Sequence, residues 1–391
     1  MQEDVLDLED TKTAYQARSD RDLRHTFLLF KTLNNNIINQ LGILTARLAY
    51  SMHLPVDFLM KRTLYGQFCG GESLEACRDV ISRLNGFGVK VCLDYAVEGE
   101  HSEQGYEKTC HELTQMIEFS RDRNEISYVV FKPTGIASAH LLETVSSGTA
   151  LTKSQKQQWE VTRERFARIC GASFEAGKRL FVDAEESWLQ TAIDGLTEDM
   201  MKRFNRDWPC VHNTLQFYRH DRLEYLGRSL NLARDEGYNY GVKLVRGAYM
   251  NKERQRAEEL GYDDPIQPDK SSTDQDYNEA MKLCIDNLNH VSLCAASHNE
   301  KSSLFLVELM ATRKIDRNHP NIYFSQLYGM GDHLSFNLAK SGYNVCKYLP
   351  YGPVGSVMPY LIRRAQENTS VGDQMSRDLR LLQKEMDRRN L

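Results

Sequence analysis

The sequence predicts an α/β protein, a parallel (β/α)8 TIM-type barrel preceded by an N-terminal helical extension. Three observations predict it. First, eight short apolar runs, rich in β-branched or aromatic residues, recur from residue 89 to residue 348. Amphipathic stretches such as 223–234, 276–287 and 301–312 separate them. Strands alternating with helices imply a parallel sheet, and eight such units close into a barrel. Second, no GxGxxG follows the first run, where a doubly wound sheet would be expected to carry one. Third, Lys132, Asp183, Gln216, Arg246, His298 and Tyr348 each sit at or just after the end of a different run. In a barrel that end is the face that carries active sites.

The elements follow in order. Residues 1–85 read as a helical arm and residues 86–391 as the barrel domain. After a polar opening come an apolar segment, 27–50, and a short helix near 55–64. Gly70-Gly71 breaks the pattern, and Ser73 is the N-cap of a helix ending at Asn85-Gly86. Strands are then expected at 89–94, 127–132, 179–183, 213–217, 241–245, 292–297, 321–325 and 344–348. An extra helix, Lys153–Glu175, fills the gap between the second and third strands. A proline-containing loop, 263–269, lies between the fifth and sixth.

At 391 residues the chain is long enough to bury a large core. Hydrophobic and charged fractions of 41% and 26% are those of a soluble globular protein and exclude disorder as the default. A net charge of -5, with no Lys/Arg-rich run outside helical patterns, gives no general attraction to nucleic acid. Nine scattered cysteines without a CxxC fit a reducing compartment better than a disulfide framework or a zinc site. The acidic N-terminus has the character of neither a signal peptide nor a transit peptide, so a cytoplasmic location is expected. Lys31, the asparagines at 34–36 and Arg47 make the segment 27–50 too polar to span a bilayer.

The stretch from Tyr360 to Asn368 carries the strongest chemical signal. On a helix, Tyr360, Arg363, Arg364 and Glu367 share one face, while Leu361, Ile362 and Ala365 hold the helix against apolar neighbours. Two adjacent guanidinium forks suit a carboxylate or phosphate, and the acid one turn on can orient them. A bare Arg-Arg pair is more often a solvated helix face. The aromatic and the acid on the same stripe, after the turn Pro350-Tyr351-Gly352-Pro353, set this one apart.

Other motifs are weaker singly. The run from Lys243 to Tyr249 ends a strand with Arg246, then Gly247 and Ala248, then an aromatic; small residues let a flat ring approach the backbone. Its bland reading is a turn glycine followed by a packing tyrosine. Asp183-Ala184-Glu185-Glu186, with His298, raises a divalent-metal site as an alternative. Glu185 and Glu186 also read as the first turn of the next helix, and no metal is expected. Ser297-His298-Asn299 could bind a ribose or phosphate oxygen at a helix start. Gly329-Met330-Gly331-Asp332 is a weak phosphate-loop signal after the seventh strand. Glu98, above the first strand, could pair with Arg363. Cations for a small carboxylate, with no nucleophile–base pair in evidence, argue against hydrolysis and for redox chemistry on a bound cofactor.

Taken together, these motifs resemble the proline dehydrogenase family of flavin-dependent (βα)8 barrels. The likeness covers roughly residues 86–370, and the first 85 residues resemble the arm of its monofunctional members. The resemblance implies non-covalent FAD over the strand ends, contacted by Gln216, Lys243, Val245, Arg246, Gly247, Ala248, Ser297, His298 and Asn299. It implies that Arg363, Arg364 and Lys132 bind the carboxylate of L-proline, with Tyr360 beside the arginines and Tyr249 and Leu327 as pocket walls. Asp183 and Tyr348 would hold one another, Glu367 would brace the arginine pair, and Glu98 would gate onto Arg363. Two positions depart from many bacterial members. Lys243 stands where they carry arginine, and Met250 where they carry an aromatic, as in the eukaryote-like branch.

The implied reaction is hydride transfer from proline C5 to flavin N5, giving Δ1-pyrroline-5-carboxylate, with electrons passed to a membrane quinone and the protein attached peripherally. A rival within the family is hydroxyproline dehydrogenase, whose members carry a smaller residue where this chain has Tyr348. A rival from another class is a Schiff-base lyase using Lys132 or Lys243 as the amine. A ligand-binding barrel without catalysis is the third.

Overall fold

The computed structural model describes residues 6–35, 39, 40, 42, 45, 52, 57–97, 101–370 and 372–391, with the backbone alone at 59, 366–370 and 372–374. All eight expected strands form: β1 (Val89–Tyr95), β2 (Ile126–Phe131), β3 (Arg179–Val182), β4 (Val211–Gln216), β5 (Tyr240–Val245), β6 (Val291–Ala296), β7 (Ile322–Leu327) and β8 (Val345–Tyr351). They close in sequence order into a barrel. The ladder of β1 with β8, and those joining β2 to β6 in succession, are parallel. The fold is the (β/α)8 barrel that the alternation of runs predicts.

Two boundaries differ in instructive ways. β8 runs on through Pro350 to Tyr351, so Tyr348 lies within the strand rather than at its end. Pro350 has no N–H for a ladder and reads as a stop. Here it stands opposite Asp94, and its carbonyl accepts the Gly70 N–H at 2.8 Å. The second difference concerns the acids after β3. The helix starts at Ser187, not at Glu185, and Glu186 is its N-cap. Glu185 instead turns its carboxylate to Thr134, accepting from the backbone N–H at 2.7 Å and the hydroxyl at 2.6 Å.

The chain divides into two compact units. The first comprises residues 1–99, 298–300 and 325–391. Its helix Asp20–Leu33 opens on a capping box between Ser19 and Asp22. Phe30 and Leu33 from that helix join Phe68, Tyr360, Leu361, Ala365, Leu381 and Leu382 in one buried apolar cluster. The long helices Met358–Ser370 and Gly372–Arg389 supply the C-terminal members. Polar ties fasten the arm to the same unit. Asn39 donates to the Ala365 carbonyl (2.7 Å), Tyr65 to that of Gly352 (2.9 Å) and Gln67 to that of Gly329 (2.6 Å). The N-cap of the helix Arg78–Asn85 is Cys77 rather than the expected Ser73, because a 3-10 turn, Glu75–Cys77, intervenes; the Ser73 hydroxyl accepts the Ala76 N–H ahead of it. Of the apolar segment 27–50, most residues after 35 lie outside the described residues, as does Pro55.

The second unit comprises residues 100–297 and 301–324. Its core is aromatic: Tyr128 and Phe181 stack at 4.0 Å, and His212 and Tyr323 meet the Tyr128 ring edge-on. The predicted extra helix, Lys153–Glu175, opens on a full capping box between Thr152 and Gln155. Among the described residues no helix is long and apolar enough to cross a membrane.

Candidate active site

In the second unit the expected residues stand at successive strand ends. Lys132 follows β2, Asp183 follows β3, Gln216 ends β4, Val245 ends β5 and Ser297 follows β6. Asp183 and Lys243 are ion-paired, and the ammonium also sits 5.1 Å from the centre of the Phe181 ring. Thr214 donates to the same carboxylate at 3.4 Å. The lysine expected at the flavin thus has a carboxylate partner two strands away, inside a low-dielectric wall.

Arg246 is held on three sides. It donates to Asp274 (2.7 Å), Ser297 (2.6 Å) and Ser302 (2.9 Å), and its guanidinium lies 4.3 Å from the centre of the Tyr277 ring. A planar fork gripped in this way is a preorganised donor. Gly247 and Ala248 are exposed, and Tyr249 is half-buried immediately before the helix Met250–Leu260. Gly247 needs to be glycine twice over. Its φ is +141°, and a Cβ would fall 2.3 Å from the Tyr218 ring. A ring does pack against this backbone, and it is that of Tyr218, a residue the sequence reading passed over.

Gln216 is fully buried, and its Oε1 has no hydrogen-bond partner among the described residues. A buried acceptor without a donor is costly unless a ligand supplies one. Burial also pushes the Glu185 carboxyl up to about 7, against the two hydrogen bonds from Thr134.

The first unit carries the remaining residues. Tyr360, Arg363 and Arg364 lie on the helix Met358–Ser370, as the periodicity predicts. Leu361 and Ala365 are buried, Ile362 packs on the same cluster, and the two arginines are half-buried. The Arg364 guanidinium lies 5.2 Å from the centre of the Tyr360 ring. The Glu367 side chain and the whole of Glu98 lie outside the described residues.

Leu327 ends β7 half-buried, and its N–H points at His298 Nε2 at 3.4 Å. That leaves the proton of a neutral ring on Nδ1, which is enclosed and has no partner among the described residues. Desolvation and the Lys347 charge hold the imidazole down to about 3. Gly331, at φ +58°, makes room for it, since a Cβ there would lie 2.7 Å from Nδ1.

Beneath this loop runs an ion network absent from the sequence reading. Lys347 pairs with Asp332 at 2.9 Å and donates to the Leu327 and Met330 carbonyls. Asp332 also pairs with Arg18 at 2.7 Å. The two cations hold the Asp332 carboxyl far below the usual range although burial opposes its charge. Close by in sequence, His333 lies 3.0 Å from Glu300 and 3.2 Å from Asp378. Burial disfavours the imidazolium, but the two carboxylates outweigh it and raise this histidine to about 9. A lysine in the middle of a strand pattern was the one available signal, since a buried cation requires a partner.

The proline dehydrogenase family model matches residues 77–377. The chain belongs to the proline dehydrogenase family. It is therefore an enzyme, an oxidoreductase of proline metabolism, from a family whose members are generally flavoenzymes. A carbapenem antibiotics biosynthesis protein of Pectobacterium carotovorum is 32% identical, over 97% of this chain and 98% of that protein. A mitochondrial proline dehydrogenase of Dictyostelium discoideum is 30% identical, over 98% and 75%. A hydroxyproline dehydrogenase of Xenopus laevis is 34% identical, over 84% and 78%. Proline utilization A of Bdellovibrio bacteriovorus has the same fold, with a TM-score of 0.72 at 18% identity, over 92% of this chain and 38% of its own.

Proposed function

We propose that the protein is an FAD-dependent L-proline dehydrogenase. The observation that carries the reading is the half-buried Arg363–Arg364 pair, mounted on a helix whose opposite face is locked into the core by Leu361 and Ala365. Two planar forks fixed in this way suit one small carboxylate. With Lys132 they would grip the substrate's acid end and fix the ring for reaction. A second cation beside this cluster is disfavoured, which selects the substrate with its amine neutral. Leu327, Tyr249 and Tyr348 would exclude water around the ring, with Glu367 bracing the arginines and Glu98 closing over Arg363.

The residues at the strand ends fit a flavin. The buried Gln216 Oε1 suits the N–H on the ring's pyrimidine edge, and Arg246 is a fixed donor for its carbonyl oxygens. Val245, Gly247 and Ala248 would line the ring, and Ser297, His298 and Asn299 would hold the remainder of the cofactor. Lys243 would act next to N5 while paired with Asp183. When bound, the flavin supplies the two-electron oxidising chemistry that takes a hydride from proline C5 and leaves Δ1-pyrroline-5-carboxylate. We assign a membrane quinone as the electron acceptor, reached by peripheral contact, and residues 1–85 as an arm accessory to the barrel.

The Xenopus relative favours a second reading, oxidation of hydroxyproline. Against it stands Tyr348, a large and buried side chain where a 4-hydroxyl would need room. The test is an absorption spectrum of the purified protein, before and after anaerobic addition of L-proline and, separately, of trans-4-hydroxyproline. A yellow protein bleached by proline alone is the expected result. A colourless protein trapped by borohydride with substrate would establish the Schiff-base reading instead.

A further inference from the structure

Outside the residues assigned to substrate and flavin, the first unit holds a cavity open to solvent. The helices Asp20–Leu33, Arg78–Asn85 and Asp332–Lys340, with the turn at Gly66-Gln67, line a space of about 100 Å³. A water occupies about 30 Å³ of liquid, so the space holds about three waters or one oxyanion group.

Its lining offers N–H donors in excess of acceptors. Arg18, Arg83 and His25 face it, and so do the acids Asp22 and Asp332. Both acids already have partners. Asp332 is shared between Arg18 and Lys347. Asp22 closes the capping box on Ser19, accepting its hydroxyl at 2.8 Å and its N–H at 3.4 Å. The cations are less fully matched. Arg18 uses Nε on Asp332 and Nη1 on Thr26 and Gln67, and its Nη2 has no acceptor among the described residues. Arg83 donates to the neutral Tyr328 hydroxyl at 2.9 Å and has no carboxylate partner among the described residues. Arg18, half-buried, and the exposed Arg83 and His25 thus face the space with two acids, of which Asp332 is shared by Arg18 and Lys347 and Asp22 is engaged by Ser19.

We propose that this cavity binds a small oxyanion, a phosphate or a carboxylate group, between Arg18, Arg83 and His25. Planar guanidinium forks with free N–H groups are suited to that geometry. Arg18 and Thr26 both bond the Gln67 side-chain oxygen, and the Gln67 amide clamps the Gly329 carbonyl at 2.6 Å. Occupancy would therefore tighten the arm on the loop that follows β7. The proposal is independent of flavin or proline binding.

The test is calorimetric titration of the full chain with inorganic phosphate and, separately, with acetate, at ionic strength held constant with sodium chloride. One saturable site for either anion is expected. Phosphate alone identifies a phosphate-group site, and acetate alone a carboxylate site. Arg18 is built into the buried pair with Asp332, so the variant is Arg83→Gln, expected to weaken binding at least about tenfold through loss of a charge-assisted contact. Lys282→Gln, at a cation outside the cavity lining, is expected to bind as the parent does. Absence of saturable binding for both anions, or an Arg83→Gln titration matching the parent, overturns the proposal.

Discussion

The two units handle buried charge differently. In the second, the polar partners at the strand ends come from neighbouring strands and loops: Lys243 and Asp183 are 60 residues apart, Arg246 and Ser297 51, Arg246 and Asp274 28. In the first, Arg18 meets Asp332 across 314 residues, Asn39 meets Ala365 across 326, and Arg389 reaches the Tyr15 carbonyl across 374. The barrel's strand order brings sequence neighbours together, so the partners of Lys243 and Arg246 come from the same βα unit or from one no more than two strands away. The first unit joins the two ends of the chain, and its Arg18–Asp332 pair forms only once those ends meet. The contrast predicts that polar substitutions in the first unit cost global stability, while those in the second cost local geometry.

The largest effect is expected at Asp332. Asp332→Asn leaves Arg18 and Lys347 with an uncompensated buried charge and should lower the unfolding free energy by about 3–5 kcal/mol. Urea denaturation measures it, and a loss no greater than that of an exposed aspartate would remove the contrast. Next come Arg363→Ala and Arg364→Ala, each expected to weaken transition-state binding of proline by about 2–5 kcal/mol, seen as a raised KM with flavin retained. An unchanged KM would place those forks elsewhere than on the carboxylate.

His333 sharpens the comparison through pH. Its folded value is raised to about 9 from an ordinary 6.5, so its contribution is complete below about pH 6.5 and disappears as pH rises through about 9. His333→Gln should therefore destabilise by about 3 kcal/mol at about pH 6 and by almost nothing at about pH 10. A difference independent of pH would mean that the imidazole is neutral in the folded protein. The smallest effect belongs to the second unit. Thr152→Ala removes one half of a capping box and should cost about 1 kcal/mol without altering turnover.

Much of this architecture is legible in the residues themselves. The eight apolar runs located every strand, and the i, i+3, i+4 spacing put Tyr360, Arg363 and Arg364 on one helix face, because periodicity is a local property of the backbone. Pro350 misled, since a proline that ends most strands is here tolerated in a ladder with β1. Glu185 misled as well, because an acid there suggests the first turn of the next helix, whereas Thr134, 51 residues away, donates to both its oxygens. Nothing near Lys347, His333 or Gln67 in the chain names the partner of each.

By itself, then, the order of apolar and polar residues determined the barrel, the helix that bears the arginine pair and, Tyr348 apart, the strand on whose end each of the predicted polar side chains stands. These follow from short-range geometry, where repeat period and chain direction suffice. Only the tertiary structure decided which charges are neutralised and by whom, that Lys243 answers Asp183, that Tyr218 backs Gly247, and that Asp332 joins Arg18 to Lys347. A buried charge is matched by whatever group the closed fold brings within about 4 Å, and that distance is not written in any local pattern.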